Sequence, residues 1–247
     1  MNDGAAKPWW QAAKELSLAR KVVTPTREAC ARPGDSFLIV TEGKVTEPVY
    51  FQLLRESLQL ATVTVKIQPG RASYPKHVIN SAADEVTALA RRVKKKQTAI
   101  NEVEKYDHVW AVIDTDVAVR QGIWPDVQQL ADSRGVKLAH STPCFEFWIL
   151  LHIQGYTTRA DLLNGDLAKA AVEKALGKEY STNEETAKAV IPTFLAKWPE
   201  AFQHAQRVRA HHRAASTPPP GNPSTEVDQL VCALNDAATE HYRKIKL

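Results

Sequence analysis

Four carboxylates carry the chemistry this sequence offers. Glu42 follows the apolar run "FLIV" through Thr41 and stands before Gly43. Glu47 comes five residues later, directly before Pro48, and Asp114 and Asp116 close the run "HVWAVIDTD". An acid in the first turn of a helix is ordinary, because the helix dipole favours it, so Glu47 alone signals little. Glu42 is different: it sits at the carboxyl end of a strand, the edge where open α/β sheets place their ligands. Residues two apart on an extended chain point to the same face, so Asp114 and Asp116 aim at one spot beyond a second strand. If the two strands are neighbours, Glu42, Glu47, Asp114 and Asp116 converge on one edge. Carboxylates packed together repel unless a cation neutralises them. Oxygen-only ligation, with no histidine or thiolate in the pattern, selects a hard metal, Mg²⁺ or Mn²⁺. Either half alone is weak, since aspartates cap turns and helices everywhere; the meaning lies in both together, each ending a buried strand.

Other polar residues carry less specific signals. Lys44, in the loop between the two glutamates, is placed to meet a phosphate. The run "RRVKKK" (Arg91 to Lys96) suits either the solvated end of a helix or a phosphate-contacting patch. Glu146 stands among Phe145, Phe147, Trp148 and Ile149, where a lone charge is expensive unless paired. Its partner is to be a helix N-terminus, Lys44 or a cation, and a structural role and a site role are both open. His152 lies off the face of Glu146 on a helix and reads as packing. Cys144 has no activating base in its pattern and reads as a buried thiol. The "HHR" of residues 211 to 213 is given no ligand role.

The elements that position these residues alternate. "SFLIV" is too apolar to alternate and reads as a buried parallel strand. Thr46 is expected to cap the next helix, with Pro48 in its first turn and Val49, Phe51, Leu53, Leu54 and Leu58 on its apolar face. "ATVTVKIQP" is a second, β-branched strand. "HVINSAADEVTALARRVKKKQ" follows as a long helix, with Val78, Ile79, Ala82, Val86, Leu89 and Val93 apolar. "DHVWAVID" is the third strand, "WPDVQQLADSRG" a helix stopped by Gly135, "VKLAHS" the fourth strand and "CFEFWILLHIQGY" a strongly apolar helix. This alternation predicts a parallel sheet covered on both faces. Beyond Tyr156 strand signals vanish and three segments read as helical, the last two separated by "TPPPGNP", with Ser224 or Thr225 capping the final helix.

Three regions result: an N-terminal arm over 1–35, an α/β domain over 36–156 and a helical C-terminal region over 157–247. A short helix is expected in "AAKELSLARK", with Trp9 and Trp10 either docking the arm on the body or binding a partner. With 44% hydrophobic and 24% charged residues, the 247-residue chain can bury one substantial core. A formal charge of +4 permits nucleic-acid binding without demanding it. No apolar run is long enough to span a bilayer, and the N-terminus lacks the apolar core of a secretory signal. Cys30, Cys144 and Cys232 are too far apart for a disulfide framework or a zinc pattern. The expected setting is the cytoplasm.

The order strand–"EG", then strand–"DxD", resembles the Toprim fold of topoisomerases, primases and the overcoming-lysogenization-defect nucleases. More closely, "TEGKVTEPVYF", "VIDTD", "STPCFEFWILLH" and "NPSTEVDQLV" together resemble the RloB family, bacterial proteins linked to restriction loci and abortive-infection phage defence. The resemblance covers roughly residues 36 to 231. It implies a Toprim-like parallel sheet flanked by helices, with Glu42, Asp114 and Asp116 as metal ligands and Glu47 serving a second metal or the outer shell. The family's other acid maps to Glu146. Where family members often carry a charged run after the second aspartate, this chain has the less charged "VAVRQG".

The expected activity is metal-dependent phosphodiester cleavage of DNA or of an RNA such as tRNA, with Mg²⁺ or Mn²⁺ as cofactor. Lys44 would offset charge on the scissile phosphate. The resemblance adds phage defence as the setting, with an ATPase partner encoded nearby. The alternative is a non-catalytic module that binds nucleic acid or a partner. A phosphotransferase or primase would need a nucleotide pocket that the sequence does not identify.

Overall fold

The computed structural model describes residues 31–67, 74–98, 103–159, 161–180 and 183–245. The helix expected in the N-terminal arm, Trp9, Trp10 and Cys30 lie outside them. Strands β1 (Phe37–Thr41), β2 (Val63–Ile67), β3 (His108–Asp114), β4 (Lys137–Thr142) and β5 (Ser224–Thr225) form one sheet in the order β2-β1-β3-β4-β5. The first four run parallel, as the apolar strands predict, and β5 pairs antiparallel with the end of β4. The chain is therefore an α/β protein with a mostly parallel sheet.

The connections explain the two covered faces. Helices α1 (Thr46–Ser57) and α2 (Pro75–Lys94) link β1 to β2 and β2 to β3; α3 (Asp116–Arg120) and α4 (Trp124–Arg134) link β3 to β4. Successive strand residues serve opposite sides. Phe37, Ile39, Trp110, Val112 and Ala139 join a core with Tyr50, Phe51 and Leu54 of α1. Leu38, Val40, Ala111 and Ile113 join a second core with Val78, Ile79 and Ala82 of α2 and Trp124 and Val127 of α4. Gly135, at φ 65°, ends α4 in the left-handed conformation that glycine adopts without strain. On α2 the expected apolar face is shorter than its periodicity: Val86 is exposed and Val93 only half-buried.

Helices α5 (Glu146–Ile153), α6 (Gly165–Leu176), α7 (Glu184–Val190), α8 (Pro192–Leu195), α9 (Trp198–Ala214) and α10 (Val227–Ala237) complete the described fold. Phe147, Trp148, Val172, Val190, Trp198 and Leu230 from this series lie in the first core, so the helical region packs on the sheet's α1 face. Asn164 and Asn183 cap α6 and α7, accepting from the N–H groups of Leu167 and Thr186.

Two expectations are corrected at helix starts. Thr46 is the first residue of α1 rather than its cap; Val45 takes that place with no side-chain bond. The proline-rich linker separates α9 from α10 as expected, but Glu226 is the N-cap of α10. Thr225 still contributes, its hydroxyl accepting from Val227 N–H at 3.2 Å. The strand that the sequence missed beyond Tyr156, β5, has two residues, too few for any periodic signal. His212, one of the "HHR" histidines, donates from Nε2 to the Pro223 carbonyl at 2.8 Å, and a Cβ at Gly221 would collide with its ring. It is a structural brace for the linker. No helix among the described residues is long and apolar enough to cross a membrane.

Candidate metal centre

Strand order decides where a site can form. From β1 the chain moves outward to β2, and from β3 it moves the other way to β4, so β1 and β3 are neighbours whose connections diverge. Their carboxyl ends flank the crevice at a topological switch point, the usual ligand position in open α/β sheets. Glu42 follows β1 and Asp114 ends β3.

These two acids meet through the backbone. Glu42 N–H donates to the Val112 carbonyl at 3.0 Å, extending the β1–β3 ladder by one residue. Asp114 N–H donates to Glu42 Oε2 at 3.1 Å. Asp114 Oδ1 accepts in turn from Phe145 N–H at 2.9 Å, the residue before α5. Glu47, in the first turn of α1, folds back so that Oε1 accepts from Gly43 N–H at 3.1 Å. That contact explains the glycine after Glu42: a Cβ at Gly43 would overlap the Glu47 carboxylate. The requirement is close approach, not an unusual backbone angle.

Electrostatics show which acids share a space. Burial pushes Glu42 up to about 7, with the Asp116 charge adding to the shift and the Asp114 N–H opposing it. Burial likewise pushes Glu47 up to about 8, helped by Glu146 and by Glu42. Asp114 is raised by burial and by Glu47, Glu146 and Glu42. The charges of Glu42 and Glu146 therefore reach both Glu47 and Asp114, while Asp116 acts on Glu42.

Asp116 reaches that position differently from the sequence expectation. The strand ends at Asp114 and Thr115 is already helical (φ −107°, ψ −9°), so the two aspartates do not share the face of an extended chain. Asp116 begins α3 and its Oδ1 accepts from Val117 N–H at 2.7 Å. Thr115 is locked below, its hydroxyl 2.6 Å from that of Thr142.

Glu146 has a partner that sequence reasoning did not supply. It opens α5, and its Oε1 accepts from the hydroxyl of Tyr180 at 3.0 Å. Tyr180 is fully buried and lies in the connection from α6 to α7. A single tyrosine in "GKEYS" carries no pattern to mark it. Cys144 is buried, and burial with the charges of Glu146 and Asp114 pushes its thiol up, the opposite of an activated nucleophile. His152 is core: Nδ1 donates to the Trp148 carbonyl, which leaves Nε2 to accept from the Tyr50 hydroxyl at 3.1 Å. Burial pushes it down to about 3.

The basic residues separate by edge. Lys44 is exposed on the loop between Glu42 and Glu47. Helix α2 runs back from the carboxyl end of β2 to the start of β3, about 30 Å for its 20 residues. Arg91 to Lys96 therefore lie at the opposite edge from the acids and cannot hold a phosphate at the crevice. A cavity of about 500 Å³ lined by Trp110, Trp124, His140 and Glu226 is also separate from the acids. None of Glu42, Glu47, Asp114, Asp116 and Glu146 lines it, although His140 pairs across the sheet with Ile113, the neighbour of Asp114.

The donor chemistry of the crevice suits a hard cation: carboxylate oxygens, buried at Glu47 and half-buried at Glu42 and Asp114, whose mutual repulsion a positive charge would relieve. Among the described residues no three His, Cys, Asp or Glu side chains are gathered closely enough to hold an ion as they stand. The structure thus brings Glu42, Glu47, Asp114 and Glu146 into one electrostatic cluster, with Asp116 against Glu42 and Lys44 outside.

An α/β sheet with acids at its switch-point crevice is the class of protein these features define. A family model described as "RloB: RloB-like protein" matches residues 37–234, and the chain belongs to the RloB-like family. No curated protein and no solved structure matches the chain.

Proposed function

We propose that the protein is a metal-dependent phosphodiesterase acting on nucleic acid. The observation that carries this reading is the convergence of three carboxylates on the crevice between β1 and β3, where the backbone N–H groups of Asp114, Gly43 and Phe145 hold Glu42, Glu47 and Asp114. Glu42, Glu47 and Asp114 would hold Mg²⁺ or Mn²⁺, with Asp116 beside Glu42 and Glu146 beside Glu47. Such an ion, when bound, supplies an activated water and stabilisation of the leaving oxygen. The chain's own part is positional: the Asp114 and Phe145 N–H groups fix two carboxylates, and Gly43 makes room for a third. Lys44, exposed at the rim, would meet the phosphate. From the family resemblance, the setting is cytoplasmic phage defence together with an ATPase partner encoded nearby.

A second reading is a non-catalytic module that binds nucleic acid or a partner. It draws on the acids not being gathered into an ion-binding group as they stand. Incubating the purified protein with labelled DNA and RNA panels, in Mg²⁺, in Mn²⁺ and in EDTA, separates the two. Divalent-dependent cleavage that Glu42→Gln abolishes supports the phosphodiesterase; retention of a substrate without cleavage supports the module.

A further inference from the structure

We propose that the outer edge of β4 is a binding site for a nucleobase, a flat ring that presents a hydrogen-bond donor and an acceptor side by side. The site lies apart from the acid crevice and does not depend on the metal reading.

The edge is open because β5 is short. It pairs with Ser141 and Thr142, and the Glu226 N–H donates to the His140 carbonyl at 2.8 Å before α10 turns the chain away. Backbone groups alternate sides along a strand. With the His140 carbonyl facing β5, the N–H and C=O of Leu138 face the same side, beyond the reach of β5. Just before β4, the Val136 N–H is already taken by the Ala131 carbonyl at 3.0 Å. The open span is therefore centred on the donor and acceptor of Leu138. That is too short for a further strand and the right length for the edge of one ring.

The cavity of about 500 Å³ opens on this edge, with Leu138 in its lining. Side chains from both faces of the sheet wall it. Trp110 and Lys137, paired across β3 and β4, stand on one face. Trp124 and His140, with ring centroids 4.8 Å apart, stand on the other. A flat ring set edge-on against Leu138 continues the plane of the sheet and lies between these aromatic walls. Two buried nitrogens in the walls lack a partner, Trp110 Nε1 and His140 Nδ1. Glu226 Oε2 stands 3.8 Å from His140 Nδ1, beyond hydrogen-bond length. Leaving such groups unpaired is costly. The ring nitrogens and carbonyls of a base supply an acceptor for the indole, and its N–H groups or the sugar hydroxyls a partner for Nδ1 in either tautomer. Lys137 Nζ lies 5.4 Å from the Trp110 ring centroid. Lys137 and Glu226 are long side chains that reach solvent, so both can swing out as a ligand enters. At the mouth Asp132 and Glu226 outweigh Lys137, which disfavours phosphates and selects the base itself.

Calorimetric titration of adenosine, guanosine, cytidine and uridine into the protein in EDTA tests the site without any cleavage assay. At least one nucleoside should bind. Gln128→Trp, which fills the mouth from an exposed position on α4, should abolish that binding while melting like wild type. Trp110→Phe and His140→Phe each keep a ring and remove a nitrogen, and each should weaken binding by about tenfold, the scale of one lost hydrogen bond. Short single-stranded oligonucleotides distinguish the two sources of a base. Tighter binding by a strand than by its nucleosides, lost in Gln128→Trp, assigns the site to an unstacked base of a strand; equal or weaker binding assigns it to a free nucleoside. If no nucleoside and no oligonucleotide binds, or if Gln128→Trp leaves all such binding unchanged, the proposal is overturned. Should Gln128→Trp melt early, the phenylalanine variants decide, and wild-type affinity in both overturns the site.

Discussion

Glu42 Oε2 accepts a hydrogen bond from the backbone N–H of Asp114 at 3.1 Å, so the side chain after β1 is tied to the backbone that closes β3. The two strand ends are held in register by this bond as well as by the ladder. It also constrains how the pair can be tested, because removing either side chain would cost structure along with charge.

Amide substitutions avoid that problem. Gln at position 42 keeps an oxygen for the Asp114 N–H, and Asn at position 114 keeps one for the Phe145 N–H. What each loses is a half-buried charge among like charges. Glu42→Gln and Asp114→Asn should therefore melt at or above wild type in EDTA at pH 8. In Mg²⁺ the same variants should lose cleavage by about a hundredfold or more, the scale of losing one charge-stabilising group in a site. Melting curves beside a cleavage assay read both. Wild-type cleavage by both variants would end the phosphodiesterase reading.

Gly43 offers a steric test. A Cβ there overlaps the Glu47 carboxylate, which must leave its bond to the Gly43 N–H. Gly43→Ala should destabilise by about 1–3 kcal/mol, as overpacking does. In a Glu47→Ala background the collision is gone, and most of that cost should vanish in denaturant titrations of the four proteins.

The acids also give a pH dependence of defined sign. Folded Glu42 and Glu47 titrate near 7 and 8, above the ordinary value of 4.5. Their folded forms hold protons that the unfolded chain has released, so stability is greatest below pH 4.5 for these groups and is lost as pH rises through 7 and 8. Buried His140 and His152, pushed down to about 4 and 3, work in the opposite direction, but only below about pH 6.5. Above pH 6.5 the histidine contribution fades and the raised acids, Asp114 among them, dominate. Metal-free protein should lose stability between pH 6.5 and 8 by on the order of 2 kcal/mol. Saturating Mg²⁺ should reduce the loss. Denaturant midpoints at both pH values, with and without chelator, check it; a flat or rising profile in EDTA contradicts the shared crevice.

Arg209 fastens the helical region to the sheet edge. It pairs with buried Asp228 on α10, with Nη2 donating to Oδ2 at 2.7 Å, and also donates to the Thr225 carbonyl on β5. Arg209→Met leaves the Asp228 charge buried without its partner and should cost about 3–5 kcal/mol. Adding Asp228→Leu should recover much of it, since an apolar pair has no charge to desolvate. Equilibrium unfolding of the single and double variants measures both.

The sequence by itself determined the alternation of β1 to β4 with α1, α2 and α4, because apolar runs, β-branched segments and Gly135 act locally. It also determined that Glu42 and Asp114 stand at strand ends, since an apolar run that stops at an acid is visible without coordinates. Only the tertiary structure decided that β1 and β3 are neighbours, because strand order depends on which helix covers which face. It alone turned Asp116 out of the strand: spacing two means one face only while the chain stays extended, and the chain coils at Thr115. It alone placed Arg91 to Lys96 at the far edge, since the direction of α2 follows from the parallel sheet. Finally, it brought Tyr180 to Glu146 across 34 positions of chain. No local pattern encodes that bond, because packing of the α6–α7 connection into the first core sets it.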